Sequence, residues 1–414
     1  MQALLIPMGT PGDVQPFIDL GCALRRRGHV VRLVAHDPFK SRAIQCGFEF
    51  ESIGNTNQFD QLLNDRNLWN PLKAYRVFAK KLVVPSMRPI VDAVCKHQTD
   101  ETVVYAQSMA LGARVAQDKF GLKTITVHRQ PSFLRSMTDT SKAPSMLVPR
   151  WMPKAAKGAQ FRVIDAILDH PYVPPVNELR GELGLSPITR WSKSWLNSPD
   201  GVLGFWNDWF APPQEDWPGN VSLAGFIADE TGEDQPSEKL KQFIDNGEPP
   251  IVFTFGSGNR FSERMLAVGA EACRKINRRG LLVSRTKQSH ELASESVMQV
   301  DYAPFSWLLP RSAAIVHHAG IGTVGQALAA GVPQLSVAGL VFDTTDTAHR
   351  LSKLGVSRRI SVRRFSAARA ADVLLGLMED ERIKSRAREL SISVRSSDAL
   401  RIACETGERL IGSA

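Results

Sequence analysis

Residues 316–334 read V-H-H-A-G-I-G-T-V-G-Q-A-L-A-A-G-V-P-Q. The run predicts the end of a buried strand, a histidine pair, a glycine-spaced turn, a short helix and the start of another strand. Gly320 and Gly322, on either side of Ile321, let the backbone turn tightly and approach a ligand, and the first amides of the helix have no intrahelical partner. Such a helix start attracts anions. His318 and Thr323 add a side-chain donor on each side of that place, so the segment suits an anion such as a diphosphate.

The rest of the chain frames that anion. With 414 residues and 43% hydrophobic side chains, the sequence is long enough for two to three ordinary domains. Lys and Arg number 51 against 42 Asp and Glu, a net charge of +9, which favours anionic partners. The charge is dispersed: Arg25-Arg26-Arg27, Arg278-Arg279, Arg358-Arg359 and Arg363-Arg364 read as solvated helix ends rather than a nucleic-acid face. Cys22, Cys46, Cys95, Cys273 and Cys404 are odd in number and lack C-x-x-C spacing. That argues for a reducing compartment and against zinc or a disulfide framework. No basic leader with a cleavable apolar stretch opens the sequence, and no segment reaches the roughly 18 apolar residues of a membrane span. The expectation is a cytoplasmic protein that has at most peripheral contact with the inner face of the membrane.

Two α/β halves are legible. Apolar runs at 3–6, 30–35, 103–105 and 124–127 alternate with amphipathic stretches, and the pattern begins again at 251–255, 281–283, 315–316 and 335–337. Between them, Pro212-Pro213, Trp217-Pro218, an acidic stretch and Pro249-Pro250 read as a connection. Residues 397–411 read as a terminal helix. After the first strand comes G-T-P-G-D-V-Q-P-F, residues 9–17, leading into a helix with Phe17, Leu20, Gly21 and Leu24 on one face. Asp13 therefore stands at a strand-to-helix turn at the carboxyl end of a parallel sheet, where open α/β folds build their sites. It is a candidate general base. An Asp at a helix start is also a preferred N-cap, and the two roles can coexist.

Three stretches in order resemble the family-one nucleotide-sugar glycosyltransferases of the GT-B fold. G-T-P-G-D-V-Q-P is similar to their N-terminal G-S-x-G-D-V-x-P. S-P-D-G-V-L-G-F-W-N-D-W-F-A-P-P-Q-E-D-W-P, residues 198–218, is similar to the segment before their linker. Y-A-P-F-S-W-L-L-P followed by V-H-H-A-G-I-G-T resembles their donor signature. The resemblance covers nearly the whole chain and is nearest to bacterial members such as the lipid rhamnosyltransferase, with the sterol and glycopeptide-antibiotic enzymes further off. It implies two Rossmann-like domains facing across a cleft: an acceptor domain at 1–211, a linker at 212–250, a donor domain at 251–385, and C-terminal helices at 386–414 packing back on the first domain.

The resemblance also implies roles. Asp13 stands where these enzymes keep a catalytic base. Tyr302 matches the ring against the nucleobase, and Phe305 the position whose backbone addresses the base edge. His318, Gly320, Gly322 and Thr323 match the diphosphate turn, Gln326 a ribose-binding position, Ser257 the first donor-domain loop near the phosphates, and Asp343 the acid that grips sugar hydroxyls. The pattern departs from the family in three places: Thr344 replaces the Gln that follows that acid, the preceding strand end reads V-A-G-L-V-F without the usual proline, and Ala319 stands where Gly is common, a change expected to be tolerated because it adds only a methyl. His128, Phe133, Trp69, Phe78 and Trp151 are candidates for an acceptor wall, their rings suiting a lipid or other hydrophobic acceptor. His317 reads as a strand-end residue packed against its domain.

The implied function is inverting transfer of a hexose from a UDP- or dTDP-sugar to a hydroxyl of a hydrophobic small molecule or lipid, with the nucleotide sugar as co-substrate. No cofactor, metal or nucleic-acid partner is expected: no D-x-D clamp stands in the expected role, and the helix start with His318 takes the place of a divalent ion. Two alternatives remain open, a nucleotide-sugar epimerase of the same fold and a catalytically degenerate partner of another glycosyltransferase.

Overall fold

In the computed structural model of the chain, the described residues are 1–70, 73–141, 151–228, 235–256, 262–284, 292–339 and 343–412. Ser257 and the acidic stretch at 229–234 lie outside them. The short apolar runs form two all-parallel sheets. The first holds β1 (Gln2–Ile6), β2 (Val30–Ala35), β3 (Glu49–Ser52), β4 (Thr102–Gln107), β5 (Lys123–His128), β6 (Gly201–Gly204) and β7 (Val221–Leu223), in the order β3-β2-β1-β4-β5-β6-β7. The second holds β8 (Ile251–Thr254), β9 (Gly280–Val283), β10 (Val297–Val300), β11 (Ala314–His317), β12 (Gln334–Ala338) and β13 (Ser357–Ser361), in the order β10-β9-β8-β11-β12-β13.

Helices cover the faces, so central strands such as β4 and β11 are buried along their whole length and read as continuous apolar runs rather than alternating ones. In the first sheet, the helix Pro11–Arg26 follows β1 and buries Phe17, Leu20 and Leu24. Gly21 allows that packing, since a Cβ would press on the Phe48 ring and Leu5. In the second, Phe253, Phe255, Leu282, Val316, Leu335 and Val337 share one core with Leu374 and Leu377.

The described residues divide into two compact units, 1–225 with 398–412, and 226–397. Both expected boundaries move. The stretch read as a connection at 212–250 contributes β7 to the first sheet and the Ser237-capped helix Glu238–Asp245 to the second unit, where Leu240 and Ile244 enter a core. The helix Glu381–Ser396, placed mostly with the C-terminal helices by the expected start at 386, packs on the helix Ile321–Ala330 and stays in the second unit. Its buried Ile383, Ala387, Leu390 and Val394 follow helical spacing and form that seam. Only the final helix, Ala399–Gly412, joins the first unit. The Tyr105 hydroxyl donates to the Ala403 carbonyl at 3.1 Å, and Glu408 takes Arg27 at 2.6 Å and His29 at 2.7 Å.

Candidate active site

Asp13 is the third residue of its helix, not the cap. Thr10 is the N-cap, and its N–H and hydroxyl both donate to Asp13 Oδ2, at 2.5 and 2.7 Å. Oδ1 takes the Arg129 guanidinium, which also donates to the Gly12 carbonyl at 3.0 Å. Both partners are mostly buried, with side-chain exposures of 13% for Arg129 and 17% for Asp13. Gly9 makes this turn possible: its φ of +123° is unfavourable for other residues, and a Cβ there would strike the Asp13 carboxylate. At the carboxyl end of neighbouring β4, the Gln107 side-chain carbonyl accepts the Met8 N–H at 2.6 Å. Asp13 and Arg129 thus meet beyond the ends of β1 and β5, on either side of β4. Sequence reasoning missed Arg129, the partner of the candidate base.

In the second unit, the helix Ile321–Ala330 starts where expected. Gly320 is its N-cap and offers no side chain, so nothing from the cap residue occupies the first amides. Gly322 is exposed, and Thr323 and Gln326 are half-buried. His318 lies between two glycines: a Cβ on Gly256 would come within 3.0 Å of its ring, and one on Gly320 within 2.7 Å. Its Nδ1 is buried and has no partner among the described residues. Burial pushes the imidazole down to about 4, leaving it neutral at pH 7. Ala319, expected to be a harmless methyl, has a φ of +66° and no exposure. The departure from glycine is conformational, because left-handed backbone is what an L side chain disfavours.

Tyr302 is 52% exposed, Phe305 opens the helix Phe305–Leu308 half-buried, and Asp343 stands at the N-cap of the helix Thr344–Lys353. Thr344 is buried at 4% exposure, turned into the unit rather than toward solvent. Two residues further on, Asp346 is buried and paired with Arg350 at 2.7 Å. Among the described residues no group of three or more His, Cys, Asp or Glu is gathered as a metal site.

The glycosyltransferase family 28 N-terminal domain matches residues 3–133, and the EryCIII-like C-terminal domain, of the type in erythromycin biosynthesis protein CIII, matches residues 282–399. The two matched stretches contain the Asp13 turn and the His318 turn. The chain belongs to the GT-B glycosyltransferases. It is 28% identical to the O-mycaminosyltylonolide 6-deoxyallosyltransferase of Streptomyces fradiae over 98% of this chain and 96% of that protein. It is 26% identical to a sterol 3-beta-glucosyltransferase of Arabidopsis thaliana over 97% of this chain, spanning 64% of that longer protein. Among solved structures, the glycosyltransferase SsfS6 of Streptomyces sp. SF2575, complexed with thymidine diphosphate, superposes with a TM-score of 0.67 at 19% identity, covering 100% of both chains.

Of the residues expected to line the acceptor, the structure brings His128 and Phe133 into contact. His128 is wholly buried at the end of β5. It pairs with Asn197 Oδ1 at 2.7 Å and stacks on Phe133 with ring centroids 5.8 Å apart. Its side chain lies in the interior of the unit, and that burial pushes it down to about 4. Phe133 and Phe78 are half-buried, and the Trp69 side chain lies outside the described residues. Trp151 is 82% exposed, just before the helix Lys154–Asp169, which leaves Val163 and Ile167 exposed one turn apart. No described helix is long and apolar enough to cross a membrane.

Proposed function

We propose that the glycosyltransferase moves a hexose from a UDP- or dTDP-sugar to the hydroxyl of a large apolar acceptor of macrolide or sterol type, with inversion and without a metal ion. The acceptor oxygen attacks the anomeric carbon, the carbon–oxygen bond to the diphosphate breaks, and the nucleoside diphosphate leaves with that electron pair. Asp13 takes the hydroxyl proton. A positioned base contributes about 10²–10⁴-fold in rate. The amides at Ile321, Gly322 and Thr323, with His318, take up the charge on the departing diphosphate, and Tyr302 and Phe305 hold the base. A preorganised anion site of this kind is worth roughly 2.7–4 kcal/mol per donor removed.

The observation that carries this reading is the His318 turn: a buried imidazole nitrogen, unpartnered among the described residues, beside a helix start whose cap residue has no side chain. Names of relatives guide the rest, since one carries a macrolide acceptor, one a sterol, and the SsfS6 complex a thymidine diphosphate. The exposed Trp151 with Val163 and Ile167 supports an apolar acceptor or contact with the lipid surface that carries one. Calorimetry with UDP, dTDP, GDP and ADP tests the donor reading. Binding of UDP or dTDP in EDTA is expected, and absence of binding by all four would overturn it.

A further inference from the structure

Ala319 is, with Asn277, one of two residues other than glycine with positive φ among those described. Its conformation decides where His318 and the helix start point, yet an alanine resists it. The neighbouring interactions oppose that resistance. His317, the last residue of β11, is wholly buried, and its Nδ1 accepts the Ala319 N–H at 3.0 Å. Its Nε2 lies 2.9 Å from Gln334 Oε1 at the start of β12, also wholly buried. An amide N–H can only donate, so Nδ1 must be the bare nitrogen and Nε2 must carry the proton, donated to Gln334. Strand, imidazole and turn form one chain of hydrogen bonds with a single allowed polarity.

We propose that His317 is the positioning residue of the donor turn: it holds Ala319 left-handed and thereby substitutes for the glycine that this backbone would otherwise require. The inference rests on the reading of residues 318–323 as the donor-phosphate turn for its effect on catalysis, but not for its structural content. Burial supports it independently, since an imidazole pushed down to about 3 keeps Nδ1 free to accept across the whole working pH range. A packing residue at this place would need shape alone. A positioning residue needs an acceptor at Nδ1.

The test is a cycle of His317→Leu, His317→Asn and Ala319→Gly, read by UDP and dTDP calorimetry and by melting. His317→Leu removes the acceptor and is expected to weaken nucleotide binding ~tenfold or more, the scale of one buried hydrogen bond. His317→Asn places Oδ1 where Nδ1 was and is expected to keep binding within about threefold of the parent. Ala319→Gly alone should melt no lower than the parent, and in the His317→Leu background it should restore most of the lost affinity and raise the melting temperature by more than in the parent background. If the parent binds no nucleotide, the donor reading fails and the melting cycle still decides the inference. Equal effects of Ala319→Gly in both backgrounds, or unimpaired binding by His317→Leu, would overturn it. Should His317→Leu not fold alone, recovery by Ala319→Gly is the expected result, and unfolding of both the double variant and His317→Asn the contrary one.

Discussion

At Asp13 the expected cap moves by three residues, while the role of general base stays a proposal. The sequence places an acid at a helix start, where a cap and a base look alike; Thr10 turns out to be the cap, and the carboxylate serves Thr10 and Arg129 instead. Arg129 was hidden because 116 residues separate it from Asp13, and pairing across β4 follows from strand order, which motif spacing does not carry. The consequence is testable. Asparagine at position 13 still accepts from Thr10 through its carbonyl, but it presents an amide to a mostly buried guanidinium, a change of the kind that costs about 3–5 kcal/mol when a buried pair is broken. Asp13→Asn should therefore melt several degrees lower and transfer sugar about 10²–10⁴-fold more slowly, while the Asp13→Asn, Arg129→Gln double variant regains stability and not activity. Parental turnover in either variant would remove Asp13 from the chemistry. His318→Ala should leave the fold intact and weaken UDP or dTDP by about 10–100-fold, the scale of a hydrogen bond to a charged group; unchanged calorimetric affinity would reject the assignment.

At the scale of elements, long periodic segments were legible and short or interrupted ones were not. The helix after Gly320 begins where its glycine spacing places it. By contrast β7 is three residues long just after a proline-containing run, too short for any period to register. The break at Ser397 likewise gives no warning that one helix stays in the second unit and the next returns to the first, since both are amphipathic and only tertiary packing chooses their partners. That final helix makes its own prediction. Gly407 leaves room for the Tyr105 hydroxyl and nothing more. Gly407→Ala should destabilise the first unit by about 1–3 kcal/mol, the usual cost of overpacking. Calorimetric scanning should show the first unit's transition lowered while nucleotide affinity in the second is unchanged. An unaltered thermogram would mean the helix is not held as described.

For the molecule as a whole, acid is the sensitive direction. His128, His317 and His318 are pushed down to about 4, 3 and 4 by burial, against about 6.5 in an unfolded chain. Above pH 6.5 both states are neutral and nothing is lost. As pH falls below it, the unfolded chain takes up protons that the folded one refuses, and each histidine withdraws about 1.4 kcal/mol per pH unit until its folded value is reached. Melting temperature should fall from pH 7 to pH 5 in both units, with His128→Asn lessening the slope in the first; a flat profile would contradict the burial of these rings. The central claim, that Asp13 and the His318 turn together transfer a sugar, is tested most directly by one assay. The protein is incubated in EDTA with UDP- and dTDP-hexoses and with sterol and macrolide alcohols, and products are read by mass and by the anomeric configuration of the new bond. The account predicts a glycoside of inverted configuration, formed without metal and lost in Asp13→Asn. An epimerised or hydrolysed donor with no glycoside, a retained anomer, or turnover only on adding magnesium or manganese would contradict it.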